Sequence, residues 1–71
     1  MKIKTLIRMA NDIGDFFNAE SNKEVAAEGI TKHILRSWDP RMRRDIITYL
    51  KEDGSELSAL AKVAVSRLDQ S

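Results

Sequence analysis

The sequence predicts an all-α fold, a small compact bundle of about four short helices, and three observations carry that expectation. Apolar residues recur at three- and four-residue spacing along nearly the whole chain. No segment reads as a strand, with the two-residue alternation that a half-buried strand needs. Glycine is confined to Gly14, Gly29 and Gly54 and proline to Pro40, so the breaks between periodic segments are few and short.

The first helix is expected from about Ile3 to Phe17. Ile3, Leu6, Met9, Ala10, Ile13 and Phe17 fall on one face of it. Polar Asn18 and the stretch Glu20 to Asn22 break the pattern. Ser21 stands three residues before Glu24, the capping-box spacing that satisfies two orphan amides at a helix start. The second helix therefore runs from about Asn22 to Ser37, with Ala26, Ala27, Ile30, Ile34 and Trp38 facing inward. Asp39-Pro40 is the sharpest punctuation. Proline disfavours helical geometry in the residue before it yet suits the first turn of a new helix. Asp39 supplies the N-cap oxygen, so the third helix starts at Pro40 with almost no loop. It presents Met42, Ile46, Tyr49 and Leu50, and Gly54 provides its left-handed C-terminal cap. The last helix begins near Glu56 or Ala59, with Ser55 and Ser58 as rival caps, and ends at Leu68. Its stripe is Leu57, Leu60, Ala61, Ala64 and Leu68. Residues 1–71 are read as a single helical domain.

A chain of 71 residues is marginal by itself, because a domain this small buries only about 60% of the surface its unfolded form exposes. It needs a staple. Cysteine is absent, which removes disulfides, thiolate metal sites and cysteine nucleophiles together. His33 is the single histidine and cannot hold a zinc ion alone. A partner chain is the staple that is left. The glycines are too far apart for a phosphate loop, and nothing resembles G-x-S-x-G or H-E-x-x-H. No catalytic, cofactor-binding or metal-ligating residue is therefore expected in this chain. The start, Met1-Lys2-Ile3-Lys4, has neither the apolar core of a signal peptide nor that of a membrane span, so a cytoplasmic protein is expected.

Four features compete for a functional role. Lys32, Arg36, Arg41, Arg43 and Arg44 cluster around the Asp39-Pro40 corner with Asp39 as the one acid among them. Such a cluster is either a solvated face or a docking patch for a carboxylate-rich protein surface, which arginine's planar fork pairs bidentately. The alternative is a small nucleic-acid-binding regulator using Arg41, Arg43 and Arg44. Against it stand the net charge of +1 and an Asp-Pro corner where a helix-turn-helix has a three- or four-residue turn. On the helical wheel Arg43 lies beside the apolar stripe and Arg44 faces outward. Arg43 is thus placed to tie into Asp39 or a neighbouring helix end, leaving Arg41 and Arg44 for docking.

Trp38, the sole tryptophan, fits core packing at the end of a bundle, and its arginine flanks also fit an interface anchor. His33 reads as structural, since a general base needs a positioned partner and a substrate pocket. Phe16 and Ile7 sit about 80° and about 100° off the stripe of the first helix. Leu35, Ile47 and Val63 also lie off their stripes, and apolar residues bordered by arginine suit an interface with a charged rim. Self-association of such faces into a homo-oligomer is a further reading. Gly29 in mid-helix costs about 1 kcal/mol relative to alanine, a hint of close approach there.

The run Gly29-Ile30-x-x-His33-Ile34-x-Arg36-Ser37-Trp38-Asp39-Pro40-Arg41-Met42-Arg43 resembles the delta subunit of NAD-dependent, molybdenum-containing formate dehydrogenases. Leu6-x-x-Met9-Ala10-Asn11-x-Ile13-x-x-Phe16-Phe17 is similar to that family's first helix, and the likeness covers about Leu6 to Leu68. Ser37 stands where the family commonly has phenylalanine, and Ala59 where it often has proline. The resemblance implies a non-catalytic accessory subunit that supports assembly, maturation or stability of the complex. It places the molybdenum cofactor, iron–sulfur clusters and flavin in the partner subunits, and makes the catalytic subunit the expected partner. Partner contact is then expected at Arg36, Trp38, Arg41, Arg43, Arg44, Ile47 and Phe16, with Asp39 and Pro40 building the corner.

Overall fold

The computed structural model describes residues 2–70; Met1 and Ser71, the ends of the expected domain, lie outside them. Four helices follow one another: α1 Ile3–Phe17, α2 Lys23–Ser37, α3 Pro40–Glu52 and α4 Ala59–Leu68. Among the described residues there is no strand. The radius of gyration is 10.8 Å, against about 11 Å for a well-packed chain of this length. The all-α bundle expected from periodicity is the fold.

α1 and α4 each touch the other three helices. That explains one departure from the periodic reading. Ile7, placed off the inward stripe by angle, is buried, as are Leu6, Ala10 and Gly14. A helix packed by three neighbours buries a wider arc than one facing a single partner. Ile3, expected inward, is exposed instead. Leu6, Ile30, Ile34, Ile46 and Val65 are the largest side chains sealed completely, and they draw on all four helices.

α2 and α4 share the most extensive packing. Both helices bury small side chains completely: Ala26 and Ala27 on α2, Ala61 and Ala64 on α4. The Thr31 hydroxyl lies 2.9 Å from the Ala27 carbonyl and 3.1 Å from that of Ala64, linking the two helices inside the core. Small side chains let the helix axes approach until a backbone carbonyl of one comes within reach of the other.

Side-chain caps set the starts of α2, α3 and α4. Asn22 opens α2, its Oδ1 accepting from the amides of Glu24 at 3.0 Å and Val25 at 3.3 Å. The expected Ser21–Glu24 box is thereby corrected by one residue: Glu20 Oε1 accepts from the Asn22 amide at 3.0 Å, a role assigned to Glu24. At the corner Asp39 Oδ1 accepts from the Met42 amide at 2.9 Å and Pro40 opens α3 as expected. Gly54, at φ +70°, ends α3. Ser58 is the cap of α4, accepting from the Ala61 amide at 3.2 Å, so Leu57 belongs to the turn before the helix, where it is buried. The Asn11 side chain fixes that turn to α1, donating to the Glu56 carbonyl and accepting from the Ser58 amide, both at 2.9 Å.

Asp39→Ala is expected to lower stability by about 1 kcal/mol through loss of the cap. Pro40→Ala removes up to about another 1 kcal/mol through the unfolded state. Urea midpoints check both. Unchanged midpoints would mean that the corner contributes nothing to the fold.

Candidate functional site

The corner between α2 and α3 gathers most of the residues expected to meet a partner. Arg36 lies in the last turn of α2, Arg41 in the first turn of α3 and Arg44 one turn further, all exposed. Among the described residues no ion pair reaches any of these three arginines. Lys32, one turn earlier on α2, is paired with Glu28 at 3.1 Å.

Arg43 is different. Its guanidinium donates to the Trp38 carbonyl at the end of α2 and lies 3.5 Å from the Leu35 carbonyl. These are two of the orphan acceptors that every helix leaves at its C-terminus, and a cation there also suits the helix dipole. Arg43 therefore ties the start of α3 to the end of α2, and its expected place in the docking set passes to a structural role. Trp38 is only 4% exposed and belongs to the core cluster. That burial supports the core-packing reading of Trp38 over the interface reading.

Ile47 is half-buried against the core and shares a groove of about 480 Å³ with Pro40, Arg43, Arg44, Thr48, Lys51 and Asp69. Lys51 is paired with Asp69 at 3.3 Å across it. Thus the corner continues into a shallow trough with an apolar spot bordered by cations.

A second surface lies elsewhere. Phe16 is 78% exposed and meets Phe17 edge-to-face, ring centroids 5.2 Å apart. With Asp12, Ile13 and His33 they line an apolar groove of about 350 Å³ between α1 and α2. Phe17 fills the space at Gly29, where an added Cβ would stand 2.5 Å from a ring carbon. The close approach hinted at by a mid-helix glycine is therefore by an aromatic ring. Phe16 is not brought together with the arginine corner in any common groove.

Among the described residues no three histidine or carboxylate side chains converge as a metal site. Nor is any described helix long and apolar enough to cross a membrane. Asn11, Asn22 and Thr31 escaped the sequence reading. Asn11 and Thr31 reach Glu56, Ser58 and Ala64 through tertiary position, which periodicity does not encode, whereas Asn22 acts locally as the cap one residue after Ser21.

The fold and its surfaces define a small four-helix protein whose distinctive exposed features are a basic corner and an apolar groove. Comparison with protein families gives this class a name. The family model described as NADH-dependent formate dehydrogenase delta subunit, FdsD, matches residues 5–65, and the chain belongs to that family. The match contains the whole run from Gly29 to Arg43 on which the resemblance rests. Comparisons with curated proteins and with solved structures return no match.

Proposed function

We propose that this chain is a non-catalytic accessory subunit of an NADH-dependent formate dehydrogenase, docking on the catalytic subunit in the cytoplasm and supporting assembly, maturation or stability of the complex. The observation that carries this reading is the family match over residues 5–65. In this reading the molybdenum cofactor, iron–sulfur clusters and flavin belong to the partner subunits and none to this chain. The sequence supports that division, since a chain without cysteine has no thiolate for an iron–sulfur cluster. Small size supports it too: a marginal core gains stability from any partner that binds only the folded form. The nucleic-acid alternative has no such support, and a net charge of +1 speaks against it.

The test is to co-express the tagged chain with the dehydrogenase subunits and capture it, and separately to express the dehydrogenase without it. The expected result is co-purification of the dehydrogenase, with a lower molybdenum content and lower formate oxidation when the chain is missing. Dehydrogenase of full activity and metal content without the chain, and none captured with it, would remove the reading.

A further inference from the structure

We propose that the α2–α3 corner, through Arg36, Arg41 and Arg44, is the surface by which this chain docks on a carboxylate-rich face of a dehydrogenase subunit. The inference rests on the accessory-subunit reading and deepens it.

The charge distribution singles out this corner. Of the cations elsewhere, Lys32 is paired with Glu28, Lys51 with Asp69 and Arg67 with Glu24, and Lys23 donates to the carbonyls of Asn18 and Glu20; the other exposed cations, Lys2, Lys4, Arg8 and Lys62, are spread over the N-terminal stretch, α1 and α4 rather than gathered at one corner. Lys2 and Lys4 flank Ile3, which shares a groove with Asp45 and Glu52 of α3. At the corner the Asp39 carboxylate is engaged by the Met42 amide, and Asp45, one turn after Arg41 on α3, forms no ion pair with it. Among the described residues Arg36, Arg41 and Arg44 have neither an ion pair nor a side-chain hydrogen bond to the chain.

The placement of Arg41 is also unfavourable for the free chain. The start of a helix carries a partial positive charge and favours acids. α3 has no acid in its first turn and sets Arg41 there, with Arg44 following. Anions on a partner remove this disadvantage, and three exposed guanidinium forks suit carboxylates in bidentate pairs. The adjoining groove adds Ile47 and Pro40, so the fitting partner surface is acidic with an apolar side chain at its edge. Carboxylates fit better than a phosphate backbone. Nucleic-acid binding draws on many cations along a track, and here three arginines stand in a chain of net charge +1.

The experiment replaces Arg36, Arg41 and Arg44 together by glutamate in the full chain, co-expressed with the dehydrogenase. A matched control, K2E/K4E/K62E, makes the same change in net charge elsewhere. The corner variant is expected to keep its circular dichroism spectrum and to melt close to the wild-type temperature, because R41E at the start of α3 gains with the helix dipole what R36E at the end of α2 loses. Recovery of dehydrogenase subunits is expected to fall at least about tenfold, like charges facing each other across an interface. The control variant is expected to recover them as wild type does. If the glutamate variant does not fold, R36Q/R41Q/R44Q decides on the same criterion, expecting a smaller but clear loss. Wild-type recovery by a folded corner variant overturns the surface and leaves the accessory reading standing. Failure of the wild-type chain itself to recover dehydrogenase overturns the accessory reading, and the surface with it.

Discussion

Trp38→Ala is expected to leave the isolated chain largely unfolded at room temperature. Removing a buried tryptophan costs about 3–5 kcal/mol, the lost transfer energy of the ring plus the cavity it leaves. A domain of this size rarely holds more than about 3–5 kcal/mol in total. The ring closes the core at the end of α2, where Ile34 and Ile46 are completely sealed and Met42 packs against the same cluster. Its backbone carbonyl is the acceptor for Arg43, so collapse around the cavity also disturbs the tie between α2 and α3. Far-UV circular dichroism and a urea titration measure the effect. A variant with the parent's urea midpoint that no longer captures the dehydrogenase would return Trp38 to the interface and overturn its assignment to the core.

The contrast between Trp38 and the arginines beside it shows where sequence reading reaches its limit. Both interpretations of the tryptophan, core and interface, follow from composition, and only burial chooses between them. Arg43 was separable from Arg44 on the helical wheel because angle decides which residue lies near the apolar stripe. Its acceptor, the Trp38 carbonyl, follows from the tight Asp39-Pro40 corner that brings the first turn of α3 against the last turn of α2. The boundaries of α3 were legible for a similar reason, since Asp39 and Gly54 act within a few residues of themselves, while Ser55 and Ser58 stayed rivals for the cap of α4. Ile7 was not, because its burial depends on how many neighbours surround α1. Asn11 was not, because its partners Glu56 and Ser58 are more than forty residues away in sequence. Of the candidate site, the basic corner was visible as a run of charge. The Lys32–Glu28 pair follows from i, i+4 spacing on α2, whereas the lack of an ion pair at Arg36, Arg41 and Arg44 depends on where the remaining acids lie in space.

Ala64→Leu is expected to be strongly damaging, because Ala64 is fully buried where the α4 backbone meets Thr31 of α2. Ala26, Ala27, Ala61 and Ala64 are all fully buried, and the Ala64 carbonyl lies 3.1 Å from the Thr31 hydroxyl. Extra carbons inserted there must drive the helices apart or force strained rotamers, at about 1–3 kcal/mol. Separation also takes Thr31 away from the α4 carbonyl, a bond worth about 1 kcal/mol net. Thr31 retains Ala27 as its acceptor on α2, so its hydroxyl is not left unsatisfied and the added loss stays modest. Ala59→Leu, at the exposed first position of the same helix, supplies the comparison and should change stability by no more than about 0.5 kcal/mol. Thermal melts of the two variants side by side separate the α2–α4 contact from any general effect of leucine in α4. Equal melting temperatures would show that the helices have slack between them, and the close approach at Thr31 would then not be what holds α2 to α4.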